Sequence, residues 1–124
     1  MEERYLFKGK TSNESWVHGS LSRSGDKKKW YISNKAGAPF AYEVKPETVC
    51  QCTGVKDRND ILIWENDIVH MRTKGLSGYG KVIYRDGCYW VDDKKRNRQY
   101  PFSNHDVAYR VDGNAFDNPE LTTL

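Results

Sequence analysis

Long apolar runs are missing from this sequence. No segment approaches the roughly 20 consecutive apolar residues that a transmembrane helix needs, although apolar residues make up 37% of the chain. The amino-terminal stretch Met1-Glu2-Glu3-Arg4 is acidic, and no apolar core follows it as one would in a signal peptide. These absences predict a protein that does not span a membrane and has no secretory signal.

Cysteine is also scarce. The chain has three cysteines, and an odd number without a secretory signal predicts a reducing compartment and thiols rather than disulfides. Cys50 and Cys52 would lie on one face of a strand, but a zinc site needs about four ligands. The other candidate ligands form no second close pair in the sequence; they are Cys88, His18, His70 and His105. We therefore predict no metal site, and two ordinary buried thiols at positions 50 and 52.

A strong excess of one charge is missing too. Residues 1–59 hold 11 Lys and Arg against 7 Asp and Glu, a balance of +4. Residues 60–124 hold 9 against 10, a balance of −1. A protein dedicated to binding duplex DNA usually has a stronger positive bias.

Catalytic motifs are absent as well. The sequence has no Gly-x-Ser-x-Gly, no phosphate loop and no dinucleotide fingerprint; the stretch from Gly75 to Gly80 lacks the lysine of a phosphate loop and is predicted to be a flexible loop. Asp57 and Asn59 fit positions 1 and 3 of a calcium loop, but Leu62 and Ile68 stand at positions 6 and 12, which require Gly and Glu. We predict no catalytic residues, no cofactor and no enzymatic activity.

The sequence does contain a series of short β-type segments separated by turn residues. Aromatic residues make up 13% of the chain, with 8 Tyr and 4 Trp, and no segment has a convincing helical period. Asp86-Gly87 is a hairpin signal, and loops are expected over residues 73–79 and 92–99. The pattern predicts a mainly β protein. A β-rich part over about residues 1–55 would be joined tightly to an SH3-like barrel over about residues 60–124, whose closure hides the strand edges.

One polar interruption, Glu65-Asn66-Asp67, divides an otherwise apolar strand pattern. Asn tolerates a positive φ better than most residues, and Asp can accept backbone N–H groups across a turn. We therefore predict a structural turn at the entrance to a barrel strand rather than a catalytic Asp67. The residues assigned to structural turns are Gly54, Asp57, Asn59, Asn66 and Asp67.

Two segments closely resemble the signature of the YopX family of phage and prophage proteins. The segment from Thr53 to Asn59 resembles its Thr-Gly-Leu-x-Asp-x-Asn, and the segment from Ile63 to Val69 resembles its Ile-Tyr/Phe-Glu-Gly-Asp-Ile-Val. Further segments agree in order along essentially the whole chain: residues 4–10, 16–19, 44–49 and 113–121.

The resemblance implies an SH3-like barrel, a phage or prophage origin and a bacterial cytoplasm, but it transfers no activity and no catalytic residue. Two departures keep residues that tolerate turns, since Asp60 and Asn66 stand where the family usually has Gly. Cys50 and Cys52 replace a usual Gly and an aromatic residue, so this pair is particular to the present chain.

Two basic runs are candidates for binding. Cationic side chains can meet phosphates while neighbouring aromatic rings stack on bases, although such runs also serve as solvated loops. The first run comprises Lys94, Lys95, Arg96 and Arg98, with Tyr100 behind it; the second comprises Lys27, Lys28 and Lys29, beside Trp30.

Three functions are consistent with these observations. The first is a non-catalytic phage accessory protein that binds an unknown protein partner or a second copy of itself, through exposed aromatics. The second is a nucleic-acid-binding barrel whose two basic runs converge on one face. The third is an enzyme, for which the sequence contains no motif.

Overall fold

The computed structural model describes residues 5–33, 41–102 and 107–123. Within these residues the fold is mainly β with antiparallel sheets, which confirms the predicted class; the SH3-like detail stays a prediction. Two short 3-10 helices cover Pro46–Thr48 and Pro119–Thr123. The strands are β1 (Phe7–Lys10), β2 (Trp16–Arg23), β3 (Trp30–Ser33), β4 (Tyr42–Val44), β5 (Cys50–Lys56), β6 (Leu62–Trp64), β7 (Asp67–Thr73), β8 (Leu76–Arg85), β9 (Cys88–Asp93), β10 (Arg98–Pro101) and β11 (Ala108–Asn114).

The chain divides into two compact units, Met1–Gly54 and Val55–Leu124. In the first unit the strands lie in the order β4-β3-β2-β1-β5. Cys50 and Cys52 are both buried on one face of β5, because side chains alternate along a strand. The Cys50 thiol lies 3.3 Å from the Thr48 carbonyl oxygen, to which it donates. This pairing is that of a buried strand thiol.

The second unit contains a five-stranded sheet in the order β10-β9-β8-β7-β11. Val82 pairs with Val91, and Val69 pairs with Val111, so these apolar side chains share one face of the sheet. That face forms the core of the unit, which contains Ile63, Val69, Met71, Val82, Val91, Phe102 and Tyr109.

The Gly-rich segment after Thr73 is not the loop that the sequence predicted. Of the glycines in this segment only Gly75, at φ +85°, lies in the turn, and β8 begins at Leu76. Gly78 and Gly80 are inside the strand. Glycine is needed at both positions because a Cβ atom would overlap the Arg96 guanidinium at Gly78 and the Val91 side chain at Gly80. Their role is close packing rather than flexibility.

The predicted basic loop over residues 92–99 is wrong at both ends. Asp92 and Asp93 belong to β9, and Arg98 begins β10, which pairs with β9 from Arg98↔Asp93 to Pro101↔Trp90. Only residues 94–97 form the turn, and Asn97 takes the positive φ, +53°, that a tight hairpin requires. The buried Asp93 carboxylate forms an ion pair with Arg96 in this turn.

The turn at Glu65-Asn66-Asp67 has the geometry that its residues suggest. Asn66 has φ +71°, its N–H donates to the Val82 carbonyl at 2.7 Å, and its carbonyl accepts the Ala115 N–H at 2.8 Å. The buried Asp67 carboxylate accepts the Trp64 N–H at 2.8 Å. The Asp67 side chain therefore closes the turn by accepting a hydrogen bond from a backbone N–H.

A second turn, over residues 57–61, is stabilised by hydrogen bonds to the Asp57 carboxylate. One carboxylate oxygen accepts the N–H groups of Asn59 at 2.8 Å and Ile61 at 3.0 Å, and the other accepts the Val111 N–H at 2.9 Å. Burial would raise the pKa of Asp57, but these three donors outweigh it and hold the pKa below its usual value. Gly54 and Asp60, on either side, both have positive φ.

Candidate nucleic-acid interface

The sheet of the second unit has a polar face opposite its apolar core. Because directly paired residues point the same way, the register places Tyr79, His70 and Arg110 in one row across β8, β7 and β11. Arg72 pairs with Ser77 in the next row, and Lys81 pairs with Ile68 in the row on the other side. We call this surface the polar face.

His70 is at the centre of the polar face. Its Nε2 atom lies 3.0 Å from Ser77 Oγ, and its ring meets the Tyr79 ring edge to face with centroids 5.1 Å apart. Burial lowers the pKa of His70, and the positive charges of Arg110, Arg58 and Arg72 lower it further, although Asp112 opposes them. His70 is therefore mainly neutral at pH 7 and lies in a positive field.

Arg110 and Asp112 form a bidentate ion pair beside His70. Arg110 Nε and Nη2 donate to the two Asp112 carboxylate oxygens at 2.6 and 2.8 Å. The Arg110 hydrogen bond holds the pKa of Asp112 below its usual value. Both carboxylate oxygens of Asp112 thus accept hydrogen bonds from the Arg110 guanidinium. In a Ser-His-Asp triad the carboxylate instead accepts a hydrogen bond from the imidazole.

The basic run of residues 94–98 divides its cations between two roles. Arg96 Nη1 donates to Asp93 at 2.9 Å and Nη2 donates to the Ser77 carbonyl at 2.8 Å. Within the described residues no ion pair or hydrogen bond holds the side chains of Lys94, Lys95 and Arg98. Tyr100 packs against the core cluster. Of the residues predicted for this run, three are therefore available to a ligand, and Arg96 and Tyr100 serve the fold.

The second basic run, in the first unit, is an exposed turn. Asp26 accepts the Lys28 N–H at 3.0 Å, and Arg23 donates to the Lys27 carbonyl at 2.7 Å. The Arg23 guanidinium also lies over the Trp30 ring, 4.4 Å from its centroid, so one face of that ring is occupied. The two basic runs belong to different units, and their predicted convergence stays a prediction.

Other predictions concern metals and membranes. Within residues 5–33, 41–102 and 107–123 no cluster of three or more His, Cys, Asp or Glu side chains could hold a metal ion; His105 lies outside these ranges. In the same residues no helix is long and apolar enough to cross a membrane.

Comparison with known proteins gives the family. The profile of the family described as YopX protein matches residues 3–123. The chain belongs to the YopX protein family. The crystal structure of protein yopX from Bacillus subtilis is similar, with a TM-score of 0.66 and 18% identity, over 95% of this chain and 98% of that one. At this identity the likeness shows a shared fold. No protein with a curated description matches.

In the second unit of this YopX protein, negative side chains are found in the interior as well as on the surface. Residues 55–124 contain 11 Lys and Arg and 11 Asp and Glu, a balance of zero. Every charged side chain that is buried in the described part of this unit is an Asp: Asp57, Asp67 and Asp93. Its surface is therefore more positive than its net charge indicates.

Sequence reasoning missed the polar face of the YopX chain. The available signal was polar alternation, with His70 and Arg72 in one strand and Arg110 and Asp112 in another. The strand β8, which pairs with the other edge of the His70 strand, was predicted to be a loop in its first half, and pairing register cannot be read from one sequence. The face therefore emerges only when the three strands are aligned.

Proposed function

We propose that this YopX protein is a non-catalytic module that binds nucleic acid through Lys94, Lys95 and Arg98. The observation that carries the proposal is the outward placement of these three cations, which have no partner among the described residues, on a unit whose buried charged side chains in those residues are carboxylates. Such cations neutralise phosphates and release counterions, which favours binding without base readout. Following the family resemblance, the proposal places the protein in the cytoplasm of a bacterium that carries the phage.

The arrangement around His70 supports a non-catalytic role. A general base needs a partner that orients its imidazole and a group from which it removes a proton. Ser77 lies beside His70, but the carboxylate of Asp112 is bound by Arg110 through two short hydrogen bonds. The three groups thus form a polar network on a sheet face rather than a nucleophile-activating triad.

The proposal predicts a salt-dependent affinity that depends on the three available cations. Replacement of Lys94, Lys95 and Arg98 by Ala, with Arg96 retained, is expected to reduce the slope of log affinity against log salt by about two to three. Fluorescence anisotropy with labelled DNA and RNA oligonucleotides over a salt series measures this slope.

A matched control separates local contacts from overall charge. Replacement of Lys27, Lys28 and Lys29 by Ala removes the same three charges from the first unit. We expect the Lys94, Lys95 and Arg98 variant to lose more affinity for nucleic acid than this control. Equal affinity in the Lys94, Lys95 and Arg98 variant and the unchanged protein would exclude it.

A second candidate function is binding to a protein partner or to a second copy of the chain. Trp90 lies in one row with Ile83 and Pro101, and the Arg85 guanidinium lies over its ring, 4.9 Å from the centroid. Trp and Arg together are frequent at the energetic centres of protein interfaces. This row would supply such a centre.

Light scattering during size-exclusion chromatography tests self-association through this row. If the row is a self-interface, the chain elutes as a dimer and Trp90→Ala shifts the mass towards the monomer. Arg85→Ala, which keeps the ring, should shift it less. A monomer at all concentrations, with no change in Trp90→Ala, would leave a separate protein partner as the remaining form of this candidate.

A further inference from the structure

Cations recur along the polar face at regular intervals. Lys81, Arg110 and Arg72 lie in three successive rows of the sheet. Rows on one face repeat about every 7 Å, because alternate residues of a strand are two rises apart. The three cations therefore span roughly 14 Å, which suits a chain of several phosphates better than a single anion.

Two of these cations, Arg72 and Lys81, have no partner in the part of the chain that the structure describes. Within the described residues no hydrogen bond or ion pair holds the side chains of Arg72 and Lys81, and the same is true of the exposed Arg58. Arg110 is paired with Asp112, but Arg58 and Arg72 both lie close enough to lower the pKa of His70. At pH 7 the cluster of Arg58, Arg72, Arg110 and Asp112 thus has two positive charges in excess.

Aromatic rings share the middle row with Arg110, between the rows of Lys81 and Arg72. Tyr79 is half-buried between Lys81 and Ser77 on β8 and forms the edge-to-face pair with His70. Tyr79 and Lys81 line a small cavity, with room for about one water molecule, together with Asp92 and with Lys94 at the start of the basic turn. The polar face and the turn of residues 94–97 are therefore continuous.

We propose that the polar face is the path of a single nucleic-acid strand, which runs from Lys94 past Lys81 and Tyr79 to Arg72 and Arg58. Phosphates lie against the cations, and an unstacked base packs on Tyr79. A single strand is the fitting partner because its bases can turn towards a ring, whereas a duplex conceals them. This inference rests on the proposed nucleic-acid function and names its site.

Proton uptake by His70 accompanies binding in this arrangement. The groups that face His70 are Ser77 and Tyr79 on β8, Arg72 on β7, Arg110 and Asp112 on β11, and Arg58 from the neighbouring turn. A phosphate placed among them offsets the arginine charges and favours the imidazolium form. Affinity therefore rises as the pH falls, by at most about tenfold per pH unit for one proton.

The test uses the full chain and two probes, a labelled 12-nucleotide thymidine strand and a mixed-sequence DNA duplex of 12 base pairs. We expect the strand to bind at least tenfold more tightly than the duplex. Replacement of Arg72 and Lys81 by Ala should weaken strand binding at least tenfold, and the control that replaces Lys27 and Lys28 by Ala should change it less than twofold. His70→Gln should remove the gain in affinity between pH 7.5 and 6.0.

Two failures can be distinguished. If the strand binds and the Lys94, Lys95 and Arg98 variant loses affinity, but the Arg72 and Lys81 variant does not, the path along the polar face is wrong and the proposed function stands. If neither probe binds at low salt, both are wrong. Circular dichroism of each variant confirms that the fold is retained when affinity is compared.

Discussion

Asp57→Ala is expected to lower the free energy of unfolding by about 3 kcal/mol, because three backbone N–H groups lose a charged acceptor. Two of these donors, from Asn59 and Ile61, belong to the turn itself. The third, from Val111, lies 54 residues away on β11. Asp57 is 7% exposed, so water does not readily replace it. Urea unfolding followed by tryptophan fluorescence measures the change.

The same carboxylate makes stability depend on pH. The folded pKa of Asp57 lies below its unfolded value of about 3.9. A group with a depressed folded pKa contributes its full stability above the unfolded pKa and loses it as the pH falls through the folded pKa. The unchanged protein should therefore lose stability below about pH 4 more steeply than Asp57→Ala does.

Asp57→Asn separates charge from shape. The amide keeps one oxygen acceptor but places an N–H donor in contact with another backbone N–H. We expect a loss somewhat smaller than that of Asp57→Ala, with the acid dependence equally reduced. Asp60→Asn is the surface control, since Asp60 is in the same turn and is exposed. A loss below 0.5 kcal/mol in Asp57→Ala would contradict the role assigned to the three bonds.

Local turn chemistry could be predicted from the sequence, and long-range pairing could not. Asn66 occupies a positive φ, and Asp67 accepts the Trp64 N–H, because both effects depend on residues only a few positions apart. The bond from Asp57 to Val111 was invisible, since nothing in one sequence relates positions 54 residues apart. The fold class followed from the short apolar segments, which depend on local periodicity.

Glycine was the main source of error. Gly78 and Gly80 have the composition of a loop, but each stands in a strand where another side chain fills the space of a Cβ atom. The same error hid the polar face, since Tyr79 lies between these glycines. Basic residues were also treated alike, whereas Arg96 is bound by a buried carboxylate and Lys95 beside it is exposed.

Arg96→Ala is expected to destabilise the second unit by about 2 kcal/mol. Asp93 is 1% exposed and would lose its ion-pair partner, and removal of one partner from a fully buried pair costs about 3–5 kcal/mol. The smaller value applies because the Arg96 side chain is 36% exposed, so water can partly replace it. Urea unfolding measures the loss, and Lys95→Ala, with the same charge change in the same turn, should lose less than 0.5 kcal/mol.

Gly78 provides the sharper form of this test, because the Arg96 guanidinium lies where its Cβ atom would be. Gly78→Ala alone should displace Arg96 from Asp93 and destabilise the protein by about 1–3 kcal/mol. In the Arg96→Ala background the same change meets no guanidinium, so it should cost much less. The double-mutant cycle therefore predicts strong coupling between the two positions, of about 1 kcal/mol or more. Additive losses would show that Arg96 does not bridge the strand and the turn, and the four cations of the run would then be equivalent candidates for binding.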